Sequence, residues 1–240
     1  MRLDVFFTPA ELQARASLAD RTVVVIDVLR ATSTMVEALA NGAKSIFAVA
    51  TTDEAVRIAQ NIGRDQTLLT GERKCVRIEG FDLGNSPLEF TRERVAGRQL
   101  IMTTTNGTAA LASVASAKRV LVASLLNVDA VARELAETDE SITIVCAGRE
   151  RRFALEDAIC AGTLALRLYR RQGRRRNWSD AALAAAQLAR RYLHSIERTL
   201  RRAAAGRALI ELGFAADVEY CAQLDKYDVV PRFRDRQVAL

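Results

Sequence analysis

The chain has 240 residues, of which 50% are hydrophobic and 27% are charged, and its formal net charge at pH 7 is +6. No apolar stretch approaches the ~20 residues that a membrane-spanning helix needs, so no contact with a membrane is expected. The four scattered cysteines contain no Cys-x-x-Cys pair, which argues against a structural zinc site or a disulfide framework and favours a cytoplasmic protein. The only histidine, His194, lies in an Ala- and Arg-rich stretch, which argues against histidine-based catalysis.

The positive charge is concentrated in two segments, residues 167–176 and 190–207. Both have helical character, so their arginines are typical of solvated helix faces. A nucleic-acid partner is not expected, because the aromatic side chains that stack on bases make up only 5% of the chain. A basic surface instead suits a small, multiply anionic substrate.

Short β-branched runs alternate along the chain with alanine-rich segments of helical period. Strands are predicted at residues 23–27, 45–48, 68–71, 100–103, 119–123 and 141–146. Helices are predicted at residues 34–40, 52–61, 108–116, 128–137, 155–169, 180–193, 196–204 and 216–223. The alternation predicts a layered α/β/α fold with a mixed sheet and a helical C-terminal part. Residues 1–240 are expected to form one α/β domain, with two lobes around a cleft as the alternative.

Residues 24–57 and 101–133 show the same order of features, which indicates an internal duplication. In each segment an apolar strand, a polar loop and a short alanine-rich helix precede an Ala-Lys pair and a second strand. The polar loops at residues 30–34 and 104–108 occupy equivalent places. A duplicated βαβα unit is therefore predicted.

Several polar loops follow predicted strands directly. In open α/β sheets, ligands bind beyond the carboxyl ends of the strands, where loops lead into helices. Asp27, Arg30, residues 104–108, Glu156 and Asp157 all occupy such places. We therefore expect these residues to converge on one site.

The loop after the first of these strands carries a carboxylate, a cation and two hydroxyls. Asp27 is a candidate metal ligand or nucleophile, and Arg30 is a candidate phosphate clamp. Thr32 or Ser33 can cap the following helix, whose free amides can hold an anion. A capping loop with one solvent-exposed ion pair is the structural alternative.

Residues 103–108 place hydroxyls, an amide and a glycine between a strand and a helix. Thr105, Asn106, Gly107 and Thr108 are candidates for an anion-binding nest of backbone amides. The segment is not a Walker loop, because no Gly-Lys-Ser/Thr follows. A plain turn with a helix cap is the alternative.

An oxygen-rich irregular loop spans residues 79–87, shortly after residues 71–73. Asp82 and Asn85 offer oxygen atoms that suit a metal ion. A simple surface connection is the alternative.

Cys146 and Arg152 have the Cys-x5-Arg spacing of cysteine phosphatases, in which a thiolate attacks phosphorus. Val145, however, stands where that class usually has histidine, and an apolar setting raises the pKa of a thiol. A metal-independent cysteine phosphatase is therefore kept as an alternative. Glu156 and Asp157, near the start of the next helix, suit a divalent cation.

Taken together, these segments resemble the 2-phosphosulfolactate phosphatase family. The stretches that carry the resemblance are residues 4–9, 26–34, 71–73, 79–87, 103–108, 153–157 and 220–231. The resemblance implies an α/β phosphatase that uses Mg²⁺ to convert 2-phospho-3-sulfolactate into sulfolactate, a step of coenzyme M biosynthesis. It supports the phosphatase chemistry more firmly than the pathway.

The hypothesis that follows gives Asp27 the central role, as metal ligand or nucleophile, with Glu156 and Asp157 as further catalytic residues. The predicted metal ligands are Asp27, Asp82 and Asp157. The predicted phosphate- and substrate-binding residues are Arg30, Thr32, Ser33, Arg73, Asn85, Thr105, Asn106, Gly107, Thr108 and Arg152. The substrate is expected to be a small phosphorylated anion. A homodimer, and a non-catalytic protein that binds phosphorylated metabolites, are left open.

The chain departs from the family pattern in two places. It has Arg151 where a glycine is usual, and Lys74 and Cys75 where small residues are usual. Two additional cations close to the expected site are candidates for changing the substrate preference.

Overall fold

The computed structural model describes residues 2–14, 18–173 and 177–240. The strands are β1 (Arg2–Phe6), β2 (Thr22–Ile26), β3 (Ser45–Ala48), β4 (Thr67–Arg73), β5 (Val76–Arg77), β6 (Gln99–Thr103), β7 (Arg119–Ala123), β8 (Ile142–Cys146), β9 (Asn177–Trp178), β10 (Arg232–Arg234) and β11 (Gln237–Ala239). The helices are α1 (Ala31–Ala40), α2 (Thr52–Ile62), α3 (Arg92–Val95), α4 (Gly107–Ser113), α5 (Val128–Ala136), α6 (Leu155–Gln172), α7 (Asp180–Tyr192), α8 (Ile196–Arg202), α9 (Ala204–Glu211) and α10 (Ala215–Cys221). Every predicted strand and helix is present, with ends within about three residues of those expected.

The strands form one mixed sheet in the order β5-β4-β6-β3-β11-β10-β7-β2-β8-β1-β9. It contains two parallel sets, β4-β6-β3 and β7-β2-β8-β1-β9. The β10–β11 hairpin lies between them and is antiparallel to its neighbour in each set. This confirms the predicted mixed α/β fold with helices in the C-terminal part.

The two predicted repeats correspond to β2-α1-β3-α2 and β6-α4-β7-α5. Each repeat pairs its strands with those of the other repeat: β2 of the first pairs with β7 of the second, and β3 of the first pairs with β6 of the second. Each parallel set therefore contains one strand from each repeat.

The core explains why β2, with the sequence TVVVI, forms a strand that is buried on both faces. Val24 and Ile26 pack on one face with residues of α5, α6 and α7. Val23 and Val25 pack on the other face with residues of α1, α4 and both parallel sets. Helix α2 covers the outer face of the β4-β6-β3 set. Helices α1 and α4 thus pack against strands of both parallel sets on this face of the sheet.

No helix in the described ranges is both long and apolar enough to cross a membrane. All four cysteines are free thiols. The choice between one domain and two lobes stays a prediction.

Candidate active site

A cavity of about 310 Å³, the central cavity, lies where the loops after β2, β4, β6 and β8 meet. The beginning of α6 lines one side, and one face of α9 forms an apolar wall. The predicted site residues that line it are Asp27, Arg30, Asn85, Thr105, Asn106, Glu156 and Asp157. The structure thus brings together residues from distant segments, as expected from the ends of the strands.

Asp27 is the first residue after β2 and is only 7% exposed. Its carboxylate Oδ1 accepts a hydrogen bond from the backbone N–H of Ala31 at 3.2 Å. The hydroxyl of Thr32 fixes the loop by donating to the Asp27 carbonyl at 2.8 Å and accepting from the Asp27 N–H at 2.9 Å. No donor in the described part of the chain contacts Oδ2, which leaves this oxygen for a ligand.

Three residues predicted to bind phosphate support the loops from behind and do not line the cavity. The side chains of Thr32 and Ser33 are fully buried, and the Ser33 hydroxyl donates to the carbonyl of Val28 at 2.8 Å. The Thr108 hydroxyl donates to the carbonyl of Thr104 at 3.0 Å. Their hydroxyls are committed to the backbone, so they position the ligand-binding loops.

Gly107 lets the start of α4 approach the Asp27 loop. A Cβ atom at this position would lie 2.4 Å from Cβ of Ala31 and 2.8 Å from Oδ2 of Asp27. Neither distance is compatible with van der Waals contact. Gly107 is therefore needed because it has no side chain, which allows the close approach, and this differs from the predicted role in an anion-binding nest.

Replacing Gly107 with alanine should push α4 away from Asp27. We expect Gly107→Ala to lose about 1–3 kcal/mol of unfolding free energy, as is typical of overpacking. Turnover should fall at least ~10-fold, because a catalytic geometry disturbed by 1 Å loses up to ~10²-fold. Urea unfolding and steady-state kinetics measure the two effects.

The reverse exchange on the exposed face of the same helix is the control. Ala109→Gly should cost about 1 kcal/mol through helix propensity alone and leave turnover unchanged. Wild-type turnover in Gly107→Ala would show that the close approach is unimportant.

Glu156 and Asp157 lie in the first turn of α6 and are 3% and 2% exposed. Asp157 joins two loops, because its Oδ1 accepts from the N–H of Val28 at 2.8 Å and its Oδ2 from the N–H of Gly148 at 3.1 Å. Both Asp157 oxygens are therefore used structurally, and Glu156 is the more available carboxylate of the two.

Glu72 is a cavity residue that the sequence analysis did not identify. Its carboxylate accepts from the Thr105 N–H at 2.7 Å, the Thr105 hydroxyl at 3.1 Å and the Cys75 N–H at 2.8 Å. The predicted Arg73 is its neighbour in β4 and points away, donating to Oγ1 of Thr103 at 2.9 Å. Side chains alternate along a strand, and this signal could have separated the two.

Arg30 lines the cavity, but the protein itself holds its guanidinium group. One nitrogen contacts Oδ2 of Asp217 at 2.6 Å, and another donates to the carbonyl of Cys75 at 2.8 Å. The ring of Phe214 lies 4.5 Å from the guanidinium carbon. Arg30 therefore supplies positive charge and anchors α10, and it does not act as the predicted clamp for phosphate. No sequence signal indicated Asp217.

The carboxyl groups of the cavity repel one another. Burial, together with the nearby charges of Glu72 and Glu156, raises the pKa of Asp27 to about 7. Burial also raises the pKa of Asp157 well above its usual range, with the charges of Asp27 and Glu156 adding to the effect, and burial raises the pKa of Glu156. Such a cluster in a cleft is typical of a functional site, and it needs protons or a cation for balance.

Asp82 lies away from the central cavity. Its Oδ2 accepts from the N–H of Leu69 at 2.7 Å, and its Oδ1 lies 3.2 Å from the guanidinium of Arg64. The loop that carries it follows β4 along its side, so the predicted role of Asp82 as a metal ligand at this site is not supported.

The cysteine mechanism loses its structural basis. Cys146 is fully buried in the apolar core, and this burial, with the charge of Asp157, raises the pKa of its thiol well above the usual value. Arg152 is exposed and lies outside the cavity lining. Arg149, from the same turn, lines the cavity instead and donates to the carbonyl of Ala204 at 2.6 Å.

The cavity lining offers oxygen atoms to a hard cation. Asn85 is 5% exposed, and its buried side-chain Oδ1 has no hydrogen-bond partner among the described residues. In the described ranges, no group of three or more His, Cys, Asp or Glu side chains is arranged to hold a metal ion. Mg²⁺ is usually bound by one or two carboxylates together with waters and phosphate oxygens, so the lining fits Mg²⁺ provided that the substrate completes its shell.

Comparisons with known proteins identify the family. The sequence profile of the family described as 2-phosphosulpholactate phosphatase matches residues 6–236. A protein of Symbiobacterium thermophilum named "Probable 2-phosphosulfolactate phosphatase" is 45% identical over 223 residues, which cover 93% of this chain and 95% of the relative. A protein of Caldanaerobacter subterraneus with the same name is 42% identical over 218 residues, covering 91% and 90%. One from Clostridium beijerinckii, also so named, is 33% identical over 238 residues, 99% of each chain.

The fold, the cavity and these relatives define a phosphoric monoester hydrolase. Because the match extends over almost the whole chain, the protein belongs to the 2-phosphosulfolactate phosphatase family. The resemblance found in the sequence is thereby confirmed.

Proposed function

We propose that the protein is a Mg²⁺-dependent phosphatase that hydrolyses 2-phospho-3-sulfolactate, or a related 2-phosphorylated hydroxy acid, to the hydroxy acid and phosphate. The observation that carries the proposal is Asp27, a buried carboxylate that lines the cavity with Glu72, Glu156 and Asp157 and whose Oδ2 accepts no hydrogen bond from the described residues. The names of the relatives support the substrate.

Hydrolysis requires a new P–O bond, cleavage of the ester P–O bond and a proton for the departing alkoxide. The Asp27 Oδ2 either accepts the proton of a water that attacks phosphorus, or attacks phosphorus itself and forms an aspartyl phosphate, which a water then hydrolyses to release phosphate and restore the carboxylate. Glu156, whose pKa burial raises, is suited to give the proton to the alkoxide. Arg149 and Asn106 border the same space and are placed to hold phosphoryl oxygens, whereas the N–H and the hydroxyl of Thr105 already donate to Glu72.

Asp27 would hold the metal ion, with substrate oxygens and waters completing its shell, because Glu156 has to keep its proton to act as the acid. The ion would neutralise charge on the phosphoryl oxygens. It would also balance the mutual repulsion of the cavity carboxylates.

Metal removal tests the proposal directly. Phosphate release from 2-phosphosulfolactate and racemic 2-phospholactate should occur with Mg²⁺, vanish in EDTA and return when Mg²⁺ is added in excess. Cys146→Ala should retain turnover, since this thiol is buried away from the substrate. Turnover that resists EDTA and disappears in Cys146→Ala would overturn the proposal in favour of the cysteine mechanism. Ligand binding without turnover would instead indicate a sensor of phosphorylated metabolites.

The proposal includes action in the cytoplasm, for which the four free thiols give support. A small phosphorylated substrate is the partner that the cavity suits. The homodimer stays a prediction.

A further inference from the structure

Three cations line the central cavity, and they differ in how far the protein already uses them. Arg30 is held by Asp217 and by the carbonyl of Cys75. One N–H group of the Arg149 guanidinium donates a hydrogen bond to a carbonyl of α9. The ammonium of Lys74 forms no ion pair or hydrogen bond within the described segments, although the residue lines the cavity and is exposed at its mouth. Lys74 is therefore the cation most available to a ligand.

A two-residue turn with positive φ values carries Lys74. Arg73 pairs with Val76 across the hairpin of β4 and β5, so Lys74 and Cys75 are the two residues of the loop. Their φ values are 53° and 68°, in the left-handed region that favours glycine. The backbone thus accepts strain at the mouth of the cavity in order to carry two side chains there.

The strained turn is attached to the charged residues of the cavity. The N–H of Cys75 donates to Oε2 of Glu72 at 2.8 Å, and Arg30 donates to the Cys75 carbonyl at 2.8 Å. Hydrogen bonds to charged groups are about twice as strong as neutral ones, so the turn is fixed to the cavity floor. The backbone of Lys74 is consequently held in place, unlike that of a lysine on a free surface loop.

The carboxylates restrict where a second anionic group of a substrate can lie. A phosphate next to Asp27 can share its cation, but a further carboxylate or sulfonate on the floor would meet the negative charges around Asp27 without a counter-charge. The mouth of the cavity, where Lys74 lies, avoids that repulsion.

We infer that Lys74 binds the second anionic group of the substrate, a carboxylate or a sulfonate, and so selects phosphate esters that carry one. The inference rests on the proposed phosphatase function. It gives Lys74 a substrate contact in place of the predicted Arg73, whose side chain points away from the cavity.

Lys74→Met tests the inference, because it removes the charge but keeps an unbranched side chain on the same strained backbone. The substrates are 2-phospholactate, 2-phosphosulfolactate and propane-1,2-diol 2-phosphate, in which a neutral hydroxymethyl group replaces the carboxylate. We expect kcat/KM for the two acids to fall about 10-fold or more, mainly through KM, as follows when a charged hydrogen bond is lost. The neutral ester should lose less than about 3-fold. A loss with both acids would show that Lys74 binds the carboxylate, which both carry, and a loss confined to 2-phosphosulfolactate would show that it binds the sulfonate.

Lys74→Arg should restore the preference for the acids, because it restores the charge. Arg236→Met is the matched control, since Asp235 and Arg236 form a two-residue turn with φ values of 49° and 67° on the β10–β11 hairpin, outside the cavity lining. Its kinetics should match those of the unmodified protein with all three esters. An equal loss for acid and neutral esters in Lys74→Met would overturn the inference while leaving the phosphatase proposal intact. Absence of turnover by the unmodified protein with every ester would overturn both.

Discussion

Asp27→Asn should reduce turnover by about 10³-fold or more, a loss typical of removing a residue that contacts the reacting atoms. The amide keeps an oxygen for the N–H of Ala31, so the loop after β2 should hold its shape. What disappears is the negative charge that a metal ligand, nucleophile or base requires. Steady-state phosphate release in Mg²⁺ measures the effect, and circular dichroism checks that the fold is retained.

Asp82→Asn provides the control for this variant. Asp82 is a candidate ligand by sequence, yet its carboxylate contacts Arg64 and the Leu69 N–H, away from the cavity. Its turnover should remain within about 2-fold of the unmodified protein, as expected of a substitution away from the site. If both variants lost activity equally, the placement of Asp27 at the reaction centre would be wrong.

Asp217→Asn should lower the unfolding free energy by about 3–5 kcal/mol, the usual cost of breaking a buried ion pair. The side chains of Arg30 and Asp217 are only 2% and 3% exposed, and their charged atoms lie 2.6 Å apart. Ser86 donates to the other Asp217 oxygen at 2.6 Å. Asparagine preserves the shape of this side chain but leaves the Arg30 cation buried without a counter-charge.

The matched control is Asp228→Asn. Asp228 also pairs with an arginine, Arg133, but its side chain is 74% exposed. Exposed pairs contribute only about 0–1 kcal/mol, so its urea midpoint should hardly move. A loss of less than about 1 kcal/mol in Asp217→Asn would contradict the view that Arg30 is a structural anchor.

The sequence predicts the parts of the site that depend on strand ends. Asp27, Thr105 and Asn106 follow buried strands directly, and Glu156 and Asp157 open a helix. Periodicity locates such positions, and parallel pairing brings them to one place. The convergence of these loops can therefore be expected from the order of strands and helices along the chain.

Residues whose position depends on the path of a loop could not be placed in the same way. Asp82 and Asn85 are three residues apart, yet only Asn85 reaches the cavity. Arg152 is favoured by its spacing from Cys146, whereas the turn directs Arg149 to the cavity. The sequence shows which side chains suit a ligand, but tertiary packing decides which of them reach it.

The C-terminal hairpin is not predicted by the sequence either, for a different reason. The strand β10 consists of Arg-Phe-Arg, which has little strand character of its own. It becomes a strand because Phe233 pairs with Val120 of β7 and with Val238 of β11. Such strands are specified by their neighbours rather than by local propensity.

The pairing of strands between the two repeats and the central hairpin have a consequence for synthesis of the protein. The β10–β11 hairpin joins the two parallel sets, so the sheet is not continuous until residue 239 has been synthesised. During translation, the edges of β3 and β7 that the hairpin will cover stay unpaired. Unpaired edges are templates for wrong association, and long-range pairings form slowly. The nascent chain therefore depends on β10 and β11, which lie outside the cavity lining, to cover the edges of strands that were synthesised long before them.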